Sequence, residues 1–157
     1  MKTLDYLNLD PKSLETTVEG LHKLLANVQV YYTNLRGFHW NVKGDKFYEL
    51  HEKFEEFYDD VNEKADEVAE RLLMLGATPT HKYSDYLKVS SIKETGVVSD
   101  AKEIIKNILD SLKVLIGLER EVLENASEAG DEGTVALVSD MISGQEKDVW
   151  MLTAYLS

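Results

Sequence analysis

Apolar residues recur in this chain at alternating steps of three and four over four separate stretches, and that spacing dictates helices. Leu14, Val18, Leu21, Leu25, Val28, Tyr32 and Leu35 step by 4, 3, 4, 3, 4 and 3, and His39 continues the series by four more. A stripe of this kind runs along one side of an α-helix and must be buried against a partner. Phe47, Leu50, Phe54, Phe57, Val61, Ala65, Val68, Leu72 and Leu75 form a second stripe. Ile105, Ile108, Leu112, Leu115 and Val122 form a third, and Val135, Val138, Ile142, Val149, Leu152 and Leu156 a fourth. Only Pro11 and Pro79 interrupt the chain, so long helices are permitted, and no stretch alternates as a strand would.

Punctuation places the ends. Asp10-Pro11 reads as a cap followed by a first helical position, Gly37 and residues 41–44 as the weakening and turn of the first helix, and Asp45 as the cap of the second. Gly76 and Pro79 close the second helix. Ser99 is the expected cap of the third, which ends near Ala126 before the turn Ala129-Gly130-Asp131. Residues 77–98 are too long for a tight hairpin and suit a crossover along a bundle, with a short helix from Tyr83 to Lys88. The expected fold is all-α: a ferritin-like four-helix bundle whose long crossover, between helices 2 and 3, carries a short helix. One domain over residues 1–157 is expected, with residues 1–10 as a short leader.

Composition removes several classes of function. A net charge of −12 disfavours general nucleic-acid binding, which needs clustered Lys and Arg. It suits the attraction of cations if the carboxylates line a groove or cavity, and otherwise only aids solubility. The absence of cysteine excludes disulfides and thiolate chemistry. No apolar run is long enough for a membrane span and no signal peptide is evident, so the expected setting is cytoplasmic.

Within that frame, His51, Glu55, Asp66 and Glu70 share one narrow face of the second helix, offset by one residue from its apolar stripe. His39 lies just before the helix begins. Two imidazoles and three carboxylates form a mixed nitrogen and oxygen donor set suited to Fe(II), Mn(II) or Zn(II). Taken singly, His39 also reads as a core histidine, His51 as an exposed residue, and the acids as solvated surface charges. Geometry divides the set. The 51/55 pair and the 66/70 pair are separated by roughly 22 Å of helix rise, so one ion cannot join them within a chain. An antiparallel first pair of helices brings His39 to His51. A two-fold axis near residue 60 or 61 would set 51/55 of each chain against 66/70 of the other, completing two sites from four halves. The rival arrangement joins His22 to Asp66 and Glu70 inside one bundle. It offers a single nitrogen, and His22 lies off the core stripe.

The motifs FHWNVKG, F..LHEKFEEFY, DEVAERL.LG, YLKVSSIKE and the terminal WMLTAYL resemble the Dps family of mini-ferritins over about residues 12–156. The resemblance implies a ferroxidase centre between two-fold-related subunits: His39, His51 and Glu55 from one chain, with Asp66 and Glu70 from its partner. It implies Fe(II) as substrate, Fe(III) mineral as product, hydrogen peroxide as the common oxidant, protection against oxidative stress, and a hollow shell of twelve subunits. It makes Trp40 a candidate for electron transfer, with packing as its other role, and Asp131, with Asp140, a candidate for an iron-entry pore. Two positions depart from the pattern. Glu55 stands where the family usually has Asp, and the leader lacks the Lys/Arg-rich tail of DNA-binding members. The second reading of the chain is a DNA-coating nucleoid protein without strong ferroxidase activity, and the acidic balance weighs against it.

Overall fold

The computed structural model describes residues 3–157, and all regular structure among them is helical. A four-residue helix, α1 (Leu4–Leu7), precedes the long α2 (Glu15–Asn41) and α3 (Phe47–Met74). The short α4 (Tyr83–Val89) lies in the crossover, followed by α5 (Ala101–Glu128) and α6 (Glu132–Leu156). The chain has the expected ferritin-like all-α architecture. No helix among the described residues is long and apolar enough to cross a membrane.

Helix ends depart from the sequence expectation where the tertiary fold satisfies backbone groups in another way. Asp10 caps a turn rather than a helix: its Oδ2 accepts from Ser13 N at 3.3 Å, and helical bonding starts with Val18 N to Leu14 O. Asp45 does not cap α3. Lys46 holds that position without a side-chain bond, because Phe47 N donates to Gly44 O at 3.2 Å. Asp100, one residue beyond Ser99, caps α5 by accepting from Glu103 N at 2.9 Å. Helix α5 continues to Glu128, past the expected end at Ala126. Helix α2 runs through Gly37 to Asn41, since burial of Phe38 and His39 outweighs the roughly 1 kcal/mol that a helical glycine costs. Within the expected leader, residues 4–7 form α1, with Leu4 buried in the common core.

The two expected stops at Gly76 and Ala129-Gly130 are Schellman turns. Gly76 N donates to Leu73 O and Ala77 N to Leu72 O; Gly130 N donates to Ser127 O and Asp131 N to Ala126 O. Both glycines have positive φ, +79° and +69°, which a side chain would strain.

Topology follows from three tethers on the crossover. Asn27 Oδ1 on α2 accepts from Ser91 N, Ile92 N and Ser90 Oγ at 3.0, 2.9 and 3.1 Å. Further along α2, Asn34 donates to Lys93 O and accepts from Thr95 N. Past its end, Lys43 N donates to Ser99 O at 3.0 Å. Two amide side chains thus supply the partners that an extended segment lacks. The crossover climbs the whole of α2, so α5 starts where α3 starts and runs parallel to it. Arg71, near the end of α3, bonds Thr134 at the start of α6, so α6 runs back. The pairs α2/α3 and α5/α6 pack side by side, joined by α2 on α5.

Helix α3 buries Leu50, Phe54, Phe57, Val61, Ala65, Val68 and Leu72. Each such burial except that of Ala65 contributes on the order of 1.5–3 kcal/mol. The face beside this stripe stays in solvent, and it carries the candidate ligands.

Candidate metal centre

His39 and His51 are brought together by the α2/α3 turn. His39 lies in the last turn of α2, where backbone carbonyls lack helical partners. His51 Nδ1 is 2.8 Å from the His39 carbonyl, and His39 Nδ1 is 2.6 Å from the His51 carbonyl. A carbonyl oxygen can only accept, so each Nδ1 carries the proton and donates. The rings stack with centroids 3.7 Å apart and 16° between planes. This reciprocal bonding selects the Nδ1–H tautomer of each neutral ring, in which Nε2 keeps its lone pair, the form in which imidazole binds a metal.

Glu55 sits one turn beyond His51, with its Oε2 3.9 Å from His39 Nε2. Ligand atoms of His39, His51 and Glu55 all lie within 4.8 Å of one another, the one such group of three among the described residues. His39 is 8 % exposed at its side chain and Glu55 51 %, so the cluster is rooted in the core and opens to solvent. Two nitrogen lone pairs and a carboxylate converge there, and with both ring protons committed to carbonyls neither imidazole turns an N–H toward the carboxylate. In that tautomer the three acceptor edges present an arrangement that a cation would join. The donor types fit Fe(II), Mn(II) or Zn(II), and the C-terminal end of α2 adds a negative dipole.

Aromatic rings hold the imidazoles from behind. Phe47 stacks on His51 at 5.0 Å, and Tyr58 meets His39 edge-on at 5.3 Å. Partial burial, with Glu55 and Asp59 nearby, pushes the Tyr58 phenol up, which keeps it neutral. This contact joins two different helices; Tyr58 shares the ligand face of α3, three residues past Glu55. Trp40, beside His39 in sequence, is 62 % exposed and lies outside the core. Its ring is covered by the Arg36 guanidinium at 4.7 Å.

Asp66 and Glu70 do not join this cluster. Both are exposed on α3, four and five turns further along. His22 does not form a metal-ligand group with them: no such group of three occurs among the described residues, and His22 Nδ1 is buried without a partner. Asp140 is exposed on α6. Asp131 has a different setting from the pore carboxylate expected. It is 1 % exposed within a single chain, caps α6 through Thr134 N at 3.0 Å, and pairs with Arg71. Association with other chains can only cover it further.

Comparison with known proteins agrees with this architecture. A ferritin-like domain profile matches residues 18–157. The DNA protection during starvation protein of Porphyromonas gingivalis is 49 % identical over 154 residues, covering 98 % of this chain and 97 % of that protein. The crystal structure of a Dps protein from Vibrio cholerae O1, described as a member of a broad superfamily of ferritin-like diiron-carboxylate proteins, superposes with a TM-score of 0.93. It shares 48 % identity, over 95 % of this chain and 94 % of that one. A Dps protein from Bacillus brevis gives 0.90 at 36 % identity, over 93 % and 98 %. With matches of this extent on a common fold, the chain belongs to the Dps family of ferritin-like proteins.

Proposed function

We propose that this protein binds Fe(II) at a site shared between two chains, oxidises it with hydrogen peroxide, and stores the ferric product inside a hollow assembly. The observation that carries the reading is the convergence of two Nε2 lone pairs and the Glu55 carboxylate, with both tautomers fixed by backbone carbonyls. Three ligands from one chain leave an iron coordination sphere open. The Asp66 and Glu70 carboxylates lie on the same helix face and have no metal partner in their own chain. A two-fold pairing of α3 with its copy supplies the missing oxygens twice over.

The chemistry balances simply. Each Fe(II) gives up one electron, and peroxide accepts two electrons and two protons as its O–O bond breaks, leaving two waters. Consuming iron and peroxide together denies them to radical chemistry. His39, held in the core, sets the geometry; the exposed Glu55 exchanges between solvent and metal. Trp40 is the candidate for passing single electrons. A shell of twelve copies in the cytoplasm is the assembly implied by the resemblance. Protection of DNA, which the relatives' name describes, is assigned here to removal of iron and peroxide rather than to coating, given the net charge of −12.

An anaerobic Fe(II) titration followed by peroxide mixing tests this. Saturable binding and rapid oxidation are expected for the parent, with both lost in His51→Ala while helical content persists. Binding no stronger than that of His51→Ala would remove the ferroxidase reading. Tight, steeply salt-dependent retardation of duplex DNA at neutral pH would favour the nucleoid alternative.

A further inference from the structure

Glu119 is the one carboxylate on the inner stripe of α5, falling between Leu115 and Val122, and it is 0 % exposed. From α6, Gln145 Nε2 donates to Glu119 Oε1 at 2.6 Å. Two buried oxygens remain without partners: Glu119 Oε2 and Gln145 Oε1. Both are acceptors when Glu119 is ionised. A single proton on Oε2 changes this, because the acid then has an O–H to offer the carboxamide oxygen. The group becomes a closed pair in which each side chain donates once and accepts once.

The surroundings favour that form. Lys64 of α3 and Arg120 of α5 are the cations that act on Glu119. Lys64 is bound to Asp60, and Arg120 to Glu146 of α6. Neither bonds the Glu119 carboxylate, whose Oε1 has Gln145 as its partner and whose Oε2 has none. Asp148, one turn beyond Gln145, is coupled to Lys53, Asp60 and Lys64 instead. From α2, Gly20 packs on Val122 so closely that an added Cβ would lie 2.8 Å from Val122 Cγ2, and it brings no charge.

We propose that Glu119 is carried as the neutral acid in the folded bundle and forms with Gln145 a closed carboxylic acid–carboxamide pair that locks α5 to α6, taking one proton per chain from solvent on folding. Burial pushes the Glu119 carboxyl up to about 7 from its ordinary 4.5. The lock is therefore fully made at and below the ordinary glutamate range. It weakens as pH rises from there through about 7, beyond which an unpaired anion sits in the seam.

The test is infrared spectroscopy of the full chain labelled with carboxyl-13C glutamate, near pH 6.5, where exposed glutamates are ionised. A protonated-carboxyl band is expected that fades as pH rises and is absent in Glu119→Gln. That substitution keeps a closed amide pair. Equilibrium denaturation, at matched protein concentration, should show the parent losing on the order of a hundredfold in folding constant relative to Glu119→Gln as pH rises from about 4.5 to about 7. No protonated-glutamate band in the native parent, or an unchanged pH profile in Glu119→Gln, would overturn the proposal. If Glu119→Gln does not fold, the labelled parent spectrum alone decides.

Discussion

His39 and His51 hold each other through their backbones: each ring donates from Nδ1 to the other's carbonyl, at 2.6 and 2.8 Å, across stacked planes. The Nε2 edges are thereby set by two helices at once, and Glu55 is the adjustable member of the candidate site. Its carboxylate stands 3.9 Å from His39 Nε2 on a flexible, half-exposed side chain. Glu55→Ala should weaken anaerobic Fe(II) binding about tenfold or more, whereas Glu55→Asp should shift it by less, since a carboxylate remains near both nitrogens. Calorimetric titration of the three proteins checks the order; an unchanged affinity in Glu55→Ala would mean that Glu55 does not contact the metal.

A site completed across a two-fold axis has a compositional signature. In a dimer of one His51→Ala chain and one Asp66→Ala chain, one site carries both defects and the other none. Verified mixed dimers should recover about half the fast peroxide-dependent oxidation of the parent. Absence of any recovery would return the site to a single chain.

Arg71 and Asp131 join the end of α3 to the start of α6, with Arg71 Nε also donating to Thr134 Oγ1 at 2.8 Å. Removing the carboxylate leaves a guanidinium, 13 % exposed, without its counter-charge and strips α6 of its cap. Asp131→Ala should cost about 3–5 kcal/mol. Denaturant unfolding measures it, and a loss under about 1 kcal/mol would show that the pair is not structural.

Asn27 satisfies three crossover donors with one oxygen. Asn27→Ala orphans the Ser91 and Ile92 amides, while the Ser90 hydroxyl keeps the Ile92 carbonyl at 2.7 Å, and should cost about 2–3 kcal/mol. Amide hydrogen exchange at Ser91 and Ile92 should quicken well before the helices respond. Unchanged protection at these two amides would show that the crossover is held elsewhere.

The buried face of α3 was legible in the sequence because the helix packs on one side only. Its apolar stripe from Leu50 to Leu72 is buried without exception. Helix α2 was legible only in part. It meets α3, α4 and α5, so Leu24, Ala26, Val30, Tyr31 and Phe38 are buried off the single stripe that spacing reveals. Caps shifted by a residue at Asp45 and Ser99 because a turn carbonyl, or the next side chain, met the same orphan N–H. Glu119 and Gln145 each carried a signal, since each fills the gap in an apolar stripe at helical spacing; that the two side chains meet did not.

Local spacing, then, determined the helices, the crossover, and the division of five candidate ligands into groups too far apart for one ion. Each of these depends on the fixed rise and turn of a helix, which a sequence encodes directly. Tertiary packing decided which imidazole nitrogens bond to backbone carbonyls, that Asp131 is a buried cap rather than an open carboxylate, and that Glu119 meets Gln145. Those outcomes depend on contacts between helices distant in sequence, where burial and unpaired polar atoms set the cost, and no local pattern records them.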